Sequence, residues 1–190
     1  DTFQGGDGID AAYLTGGSGF AVDMGSVAIE WIADYAGGND GLYAGTVSDA
    51  IVYAGGGADT VFGGSGNDFL WGEAGSDIIN GDVGNDTLVG GSGADRLNGW
   101  LGSDNIFLSS GGGGDGAADV ADYNHMSGWG TDFVYDFEHG LDRIDMTGDG
   151  ASAGTVTITN VGGHAYVTFG GDLIVIVGGG ATFTSADIMF

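Results

Sequence analysis

The chain has 190 residues, 44 of them Gly, with no Pro and no Cys, and its 27 acidic residues against two basic ones give a formal net charge of −25. With only Arg96 and Arg143 to set against phosphate, nucleic acid and anionic membranes are poor partners. The lack of Cys excludes disulfides, Cys-ligated zinc and thiol chemistry, and an apolar fraction of 42% argues against the disorder that the charge alone would suggest.

The acids are biased: 24 are Asp and only three, Glu30, Glu73 and Glu138, are Glu. Asp is short, and beside Gly in turns its carboxylate can converge with backbone carbonyls. The composition therefore predicts turns lined with hard oxygen ligands, with a cation as counter-charge. The longest apolar run, Leu173 to Val177, is too short to cross a bilayer.

In chain order, residues 1–53 carry a blurred nine-residue period. GGDGIDAAY (5–13) places Asp10 as a ligand and Ala12 inward, and Asp1 precedes Asp10 by nine residues. The chain so opens inside a repeat, without a starting Met or signal peptide, which predicts a C-terminal piece of a longer protein. GGSG (16–19) has turn glycines but no Asp where one is due, and an apolar-rich stretch, Phe20 to Tyr35, follows. GGNDGLY (37–43) keeps Asp40 and an aliphatic Leu42. Residues 1–53 are expected to form degenerate coils, with Asp10 and Asp40 as candidate ligands.

Residues 54–107 are six nonapeptides in register, beginning at Ala54, Gly63, Gly72, Gly81, Gly90 and Gly99. Position 6 is always Asp (Asp59, Asp68, Asp77, Asp86, Asp95, Asp104), and position 4 is always Gly (Gly57, Gly66, Gly75, Gly84, Gly93, Gly102). Position 8 is always aliphatic (Val61, Leu70, Ile79, Leu88, Leu97, Ile106). The Gly-rich half turns sharply through positive φ and gathers carbonyls, the Asp adds a charged oxygen, and the last three residues form a strand with its middle side chain inward. One aliphatic per unit is too thin a core for independence, so the units must stack.

This G-G-x-G-x-D-x-U-x pattern resembles the RTX, or hemolysin-type, calcium-binding nonapeptide. The resemblance implies an all-β fold, a right-handed parallel β-roll in which two nonapeptides make one coil. It also implies Ca²⁺ between successive coils, one edge stacking Asp59, Asp77 and Asp95 and the other Asp68, Asp86 and Asp104. Four inter-coil ions result, each held by two Asp carboxylates with carbonyls of the Gly loops, an all-oxygen shell that suits Ca²⁺ better than Mg²⁺. Four ions would take the formal charge from −25 to about −17.

Positions 7 and 9 of the roll should face outward. On one face they are Phe69, Trp71, Thr87, Val89, Asn105 and Phe107; on the other, Thr60, Phe62, Ile78, Asn80, Arg96 and Asn98. The first set is apolar and is expected to pack under the C-terminal segment or an upstream part of the polypeptide, with a partner, self-assembly or glycan surface as alternatives.

Residues 108–130 are a transition segment in which the register breaks. Gly111, Gly113 and Gly116 match a GxGxxG spacing, which is expected by chance at this Gly content and lacks a βαβ context. G-x-S-x-G and H-E-x-x-H are absent, and His125, His139 and His164 stand apart. No enzyme activity is expected of this chain.

Residues 131–190 read as a strand-rich cap. TDFVYDFEHGLDRIDMT (131–147) is similar to the segment that follows the β-roll in serralysin-type proteases and other RTX exoproteins, which implies a further calcium with Asp132, Asp136 and Asp142 as candidates. Alternation at Thr155–Thr159, Ala165–Phe169 and Leu173–Val177, between Gly-rich turns, predicts three strands. The terminal Asp187-Ile188-Met189-Phe190 resembles a type I secretion signal, with a docked last strand as the plain reading. The resemblance implies a secreted or cell-surface calcium-binding module exported by the type I secretion apparatus and attached to an upstream domain. A surface-layer or adhesin piece is the alternative.

Overall fold

The computed structural model of the chain describes residues 11–14, 21–23, 31–34, 37–45, 49–124, 128–148, 151, 154–178 and 183–190. The period-two stretch closing each nonapeptide forms a strand, and the Gly-rich half reverses the chain into the opposite sheet. The strands in chain order are β1 (Ala11–Leu14), β2 (Ala21–Asp23), β3 (Trp31–Asp34), β4 (Gly41–Tyr43), β5 (Ile51–Tyr53) and β6 (Thr60–Ser65). They continue as β7 (Phe69–Ala74), β8 (Ile78–Val83), β9 (Thr87–Ser92), β10 (Arg96–Asn98), β11 (Asn105–Ser109) and β12 (Val120–Asp122). Then come β13 (Thr131–Tyr135), β14 (Arg143–Asp145), β15 (Thr157–Val161), β16 (His164–Phe169), β17 (Asp172–Ile176) and β18 (Ile188–Met189), with one 3-10 turn at Ser185–Asp187 before the last.

Odd and even strands separate into two sheets, as a two-sided roll requires. The first runs β1-β3-β5-β7-β9-β11-β13-β17-β16-β15, and the second β18-β14-β12-β10-β8-β6-β4-β2. Pairing is parallel except for β15–β16 and β16–β17. The fold is an all-β parallel β-roll.

Coil length follows the sequence. Phe69↔Thr87 and Ile78↔Arg96 are 18 residues apart, two nonapeptides per coil. Upstream the step widens to 19 at Gly41↔Thr60 and 20 at Trp31↔Ile51. Downstream it is 23 at Val120↔Arg143 and 28 at Asn105↔Phe133. The extra residues lie in the connections, so strand register survives.

The core is a column between the sheets. Val61, Leu70, Ile79, Leu88, Leu97 and Ile106 are fully buried, and Leu42, Val52, Ala121, Val134 and Ile144 continue the column on both sides. Burying one such aliphatic contributes roughly 1.5–3 kcal/mol, too little to fold one coil but enough when summed along the stack.

The C-terminal segment departs from expectation in one respect. Its described residues extend the roll end-on and do not cover the outer face of the first sheet, because β13 and β17 pair within that sheet while β12, β14 and β18 pair within the second. Phe69, Trp71, Val89, Phe107 and Tyr135 line an open groove of about 530 Å³ on that face. The three alternating segments form the meander β15–β17, starting within two residues of the expected positions. The terminal residues form β18, docked on β14.

Candidate metal centres

Each in-register Asp sits where a Gly-rich turn enters a strand, and the turns of each sheet lie along one edge. On the first edge the backbone N–H of Asp40 donates to Asp59 Oδ1 at 2.7 Å, Asp59 to Asp77 at 2.8 Å and Asp77 to Asp95 at 2.8 Å. The series continues from Asp95 to Asp119 at 2.8 Å and from Asp119 to Asp142 at 3.0 Å. On the second edge Asp68 N–H donates to Asp86 Oδ1, Asp86 to Asp104 and Asp104 to Asp132, each at 2.8 Å. One carboxylate oxygen per residue thus ties its coil to the one before.

The other oxygen has no such use. Oδ2 of Asp59, Asp68, Asp77, Asp86, Asp95, Asp104 and Asp132 is buried without a hydrogen-bond donor. Four of them, those of Asp68, Asp77, Asp86 and Asp95, lie beside a backbone carbonyl of the next coil. Beside the Cα of Gly81, Asp86 Oδ2 and Gly99 O come so close that a Cβ would meet both, and the pairs Asp68 with Gly81 O, Asp77 with Gly90 O and Asp95 with Leu108 O repeat this beside Gly63, Gly72 and Gly90. An anionic oxygen and a carbonyl oxygen facing each other away from water repel unless a cation lies between them. A hard, oxygen-liganded cation fits this donor set, and Ca²⁺, tolerant of irregular geometry, fits it best. Among the described residues no three His, Asp or Glu side chains gather into a metal site, so carbonyls must complete each shell.

The position-4 glycines stack in the same way, Gly75 over Gly57 and Gly93 over Gly75 on the first edge, Gly84 over Gly66 on the second. At Gly84 φ is +153°, and a Cβ would fall on the Gly66 carbonyl oxygen. Only Gly can occupy that point.

Burial raises the Asp pKa values against the opposing pull of the N–H from the preceding coil. Asp59, Asp77 and Asp104 rise to about 6. Asp86, Asp95 and Asp119 rise to about 7. Asp132, where the nearby Asp104 charge adds to burial, rises to about 8. Asp68 and Asp142 shift upward for the same first cause. The nearby Tyr123 hydroxyl works against this rise at Asp132. Carboxylates left this uncomfortable are the signature of a charge normally compensated.

Several expectations change. Asp10 lies outside the described residues. Asp132, Asp136 and Asp142 do not meet at one ion: Asp132 joins the second edge, Asp142 the first, and Asp136 lies off both ladders, after β13 at φ +62°. They part because β13, which holds Asp132, and β14, which follows Asp142, belong to different sheets. Asp119 went unrecognised in the sequence, although Asp119-Val120-Ala121 repeats the Asp-x-aliphatic spacing with a small inward residue; its 24-residue distance from Asp95 breaks the period. His139 has a partner, its Nδ1 lying 2.8 Å from Asp187 Oδ1.

The second edge has a further ladder that needs no ion. Asn67 N–H donates to Asp49 Oδ1 at 2.7 Å, Asn85 N–H to Asn67 Oδ1 at 2.9 Å and Ser103 N–H to Asn85 Oδ1 at 2.8 Å. On the outer face of the second sheet, Arg96 binds Asp122 at 2.7 Å and Asp145 at 2.6 Å, fastening three strands. Burial works against the Asp145 charge, but the hydrogen bonds from Arg96 and Thr147 outweigh it and hold its pKa below the ordinary value.

Residues 53–88 and 81–117 match the sequence profile described as the RTX calcium-binding nonapeptide repeat (4 copies). No curated protein matches the chain. Among solved structures, the AlgE6R3 subunit of the Azotobacter vinelandii mannuronan C5-epimerase is similar at 21% identity over 80% of this chain and 78% of that chain, with a TM-score of 0.33.

Proposed function

Residues 53–117 are RTX calcium-binding nonapeptide repeats and bind Ca²⁺, and from that premise we propose that the chain is a module whose fold is switched on by calcium outside the cell. The observation that carries this reading is the row of seven buried carboxylates with donorless Oδ2 atoms. Without an ion each is a desolvated charge without a donor, and four of them lie beside a carbonyl, in a chain of net charge −25 that is 44/190 Gly. With ions, binding free energy becomes folding free energy, because the site does not exist in the unfolded chain.

In this reading Asp59, Asp68, Asp77, Asp86, Asp95 and Asp104 are ligands, with Asp40, Asp132 and Asp142 extending the ladders and the glycines at positions 1 and 4 giving the carbonyls room. Residues 1–53 are degenerate coils, 54–107 the regular roll, 108–130 a transition and 131–190 a cap. Cytosolic calcium is scarce, so the passenger stays unfolded for a type I channel and folds where calcium is abundant. The ending Asp187-Ile188-Met189-Phe190 supplies the export signal of a larger exoprotein, and catalytic work belongs to that protein's upstream part. The surface-layer or adhesin alternative is not favoured by the profile match, which describes calcium-binding repeats.

Far-UV circular dichroism with and without millimolar calcium tests this. Coil without calcium and β signal with it are expected; full β signal in excess chelator at neutral pH would refute the switch.

A further inference from the structure

The roll ends on an edge that the rest of the molecule's charge pattern leaves conspicuously bare. Strand β15 is the terminal member of the ten-stranded sheet, and no described strand pairs with its outer side. It is held in antiparallel register by β16 through the two-residue turn Gly162-Gly163, φ +61° and +85°, the hairpin geometry that keeps strands straight and well paired. Thr157, Thr159, Asn160 and Val161 are exposed, Val161 at 58%. An outer row of N–H and C=O groups on such a strand is a template for another strand.

Natural edges are usually guarded by a charge, a Pro, a bulge or a covering loop. Thr157–Val161 has no charged residue and no Pro, and its pairing with β16 is unbroken. The neutrality extends well beyond the strand. Over residues 151–186 the only acid is Asp172, where the chain's average of one acid in seven residues predicts about five. The Asp172 carboxylate accepts N–H from Gly128 and Gly130 at 2.8 and 3.2 Å, so it is engaged within the fold. Acids that lie off the ladders, such as Glu73, Asp82, Asp115, Asp122, Glu138 and Asp145, are spread over the rest of the roll. The meander β15–β17 is therefore the neutral end of a polyanion.

We infer that β15 is a homodimer interface, in which two copies join their first sheets edge to edge through antiparallel β15 strands. Charge selects the occupant. Even with four ions bound, each copy keeps a net charge of about −17 and repels the other wherever their acids meet within a Debye length of about 8 Å, and the meander is where two copies can approach without that penalty. The strand is also self-complementary under a two-fold axis through Thr159, which sets Thr157 opposite Val161 and Ile158 opposite Asn160. Thr–Thr and β-branched pairs of this kind stabilise antiparallel sheets. A two-fold contact closes on itself, giving a pair and not a growing layer. The inference rests on the calcium-folded roll, since β15 exists as an edge only in the folded state.

Analytical ultracentrifugation of the full chain in calcium, over a wide concentration range, tests it. The expected result is a concentration-dependent rise from 18.9 kDa towards twice that mass. Thr159→Asp places two carboxylates opposite each other at the axis and should weaken the dimer at least about tenfold, while circular dichroism and the calcium titration stay as in the parent. A monomer at every concentration in a protein that folds with calcium overturns the inference and leaves the calcium reading intact. So does a dimer that survives Thr159→Asp but is lost on Tyr135→Ser, which would move the contact to the aromatic groove. Failure to fold with calcium would instead refute the calcium reading.

Discussion

Replacing Asp86 by Asn should act in opposite directions with and without calcium. In the ion-free roll Asp86 is fully buried, its Oδ1 accepting Asp68 N–H at 2.8 Å and its Oδ2 facing Gly99 O without a donor. An Asn keeps the first bond through Oδ1 and turns an N–H₂ donor towards Gly99 O, exchanging a repulsion for a hydrogen bond. Burial lifts Asp86 from 3.8 to about 7; at about 1.36 kcal/mol per tenfold change in proton affinity the buried charge costs at most about 4 kcal/mol at alkaline pH, and solvent along the edge screens this to about 2. The calcium-free roll of Asp86→Asn should therefore be about 2 kcal/mol more stable at pH 8. With calcium the sign reverses. The residue lies between the coils of Asp68 and Asp104, and losing its charge should weaken the neighbouring ions about tenfold or more, about 1.4 kcal/mol each. Two titrations followed by far-UV circular dichroism at pH 8 measure both sides. Less sucrose or trimethylamine oxide should be needed to fold the variant in chelator, and more calcium should be needed without osmolyte. Curves that shift in the same direction, or not at all, would make Asp86 a turn-former only and refute the metal role.

Three further outcomes are expected. The ladder carboxylates have folded-state pKa values raised to between about 6 and about 8, so the calcium-free roll binds protons more tightly than the unfolded chain: its stability should be greatest below the unfolded value of 3.8 and fall as pH rises through 6 to 8. Calcium competes with those protons, so its folding midpoint should drop across the same window, and a calcium-free β signal that instead strengthens from pH 5 to 8 would contradict this. Gly84→Ala, at φ +153° and against Gly66 O, should destabilise the calcium-bound roll by at least about 3 kcal/mol, whereas Gly113→Ala, with nothing within 4 Å, should leave urea unfolding unchanged. Asp119→Asn should reduce the number of bound ions counted by native mass spectrometry, while Asp136→Asn, off both ladders, should not.

Much of this molecule is legible in its sequence because the repeat unit is short and its constraints are local. Nine residues fix where the chain turns, since position 4 tolerates only Gly, and which side chain enters the core, since the strand period is two. Parallel stacking then follows, because one aliphatic per unit cannot bury itself alone. The sequence therefore determined the all-β roll, the two Asp edges and the outward faces from Phe69 to Phe107. Coil membership beyond the regular repeats depended on distances that a period cannot express. Steps of 23, 24 and 28 residues hide their extra length in loops, so only the folded chain decided that Asp119 follows Asp95, that Asp132 and Asp142 lie on opposite edges, and that Asp136 lies on neither. Tertiary pairing likewise decided that the C-terminal segment extends the sheets, because an open parallel edge at β13 and β14 satisfies more backbone hydrogen bonds than an already paired sheet face can offer.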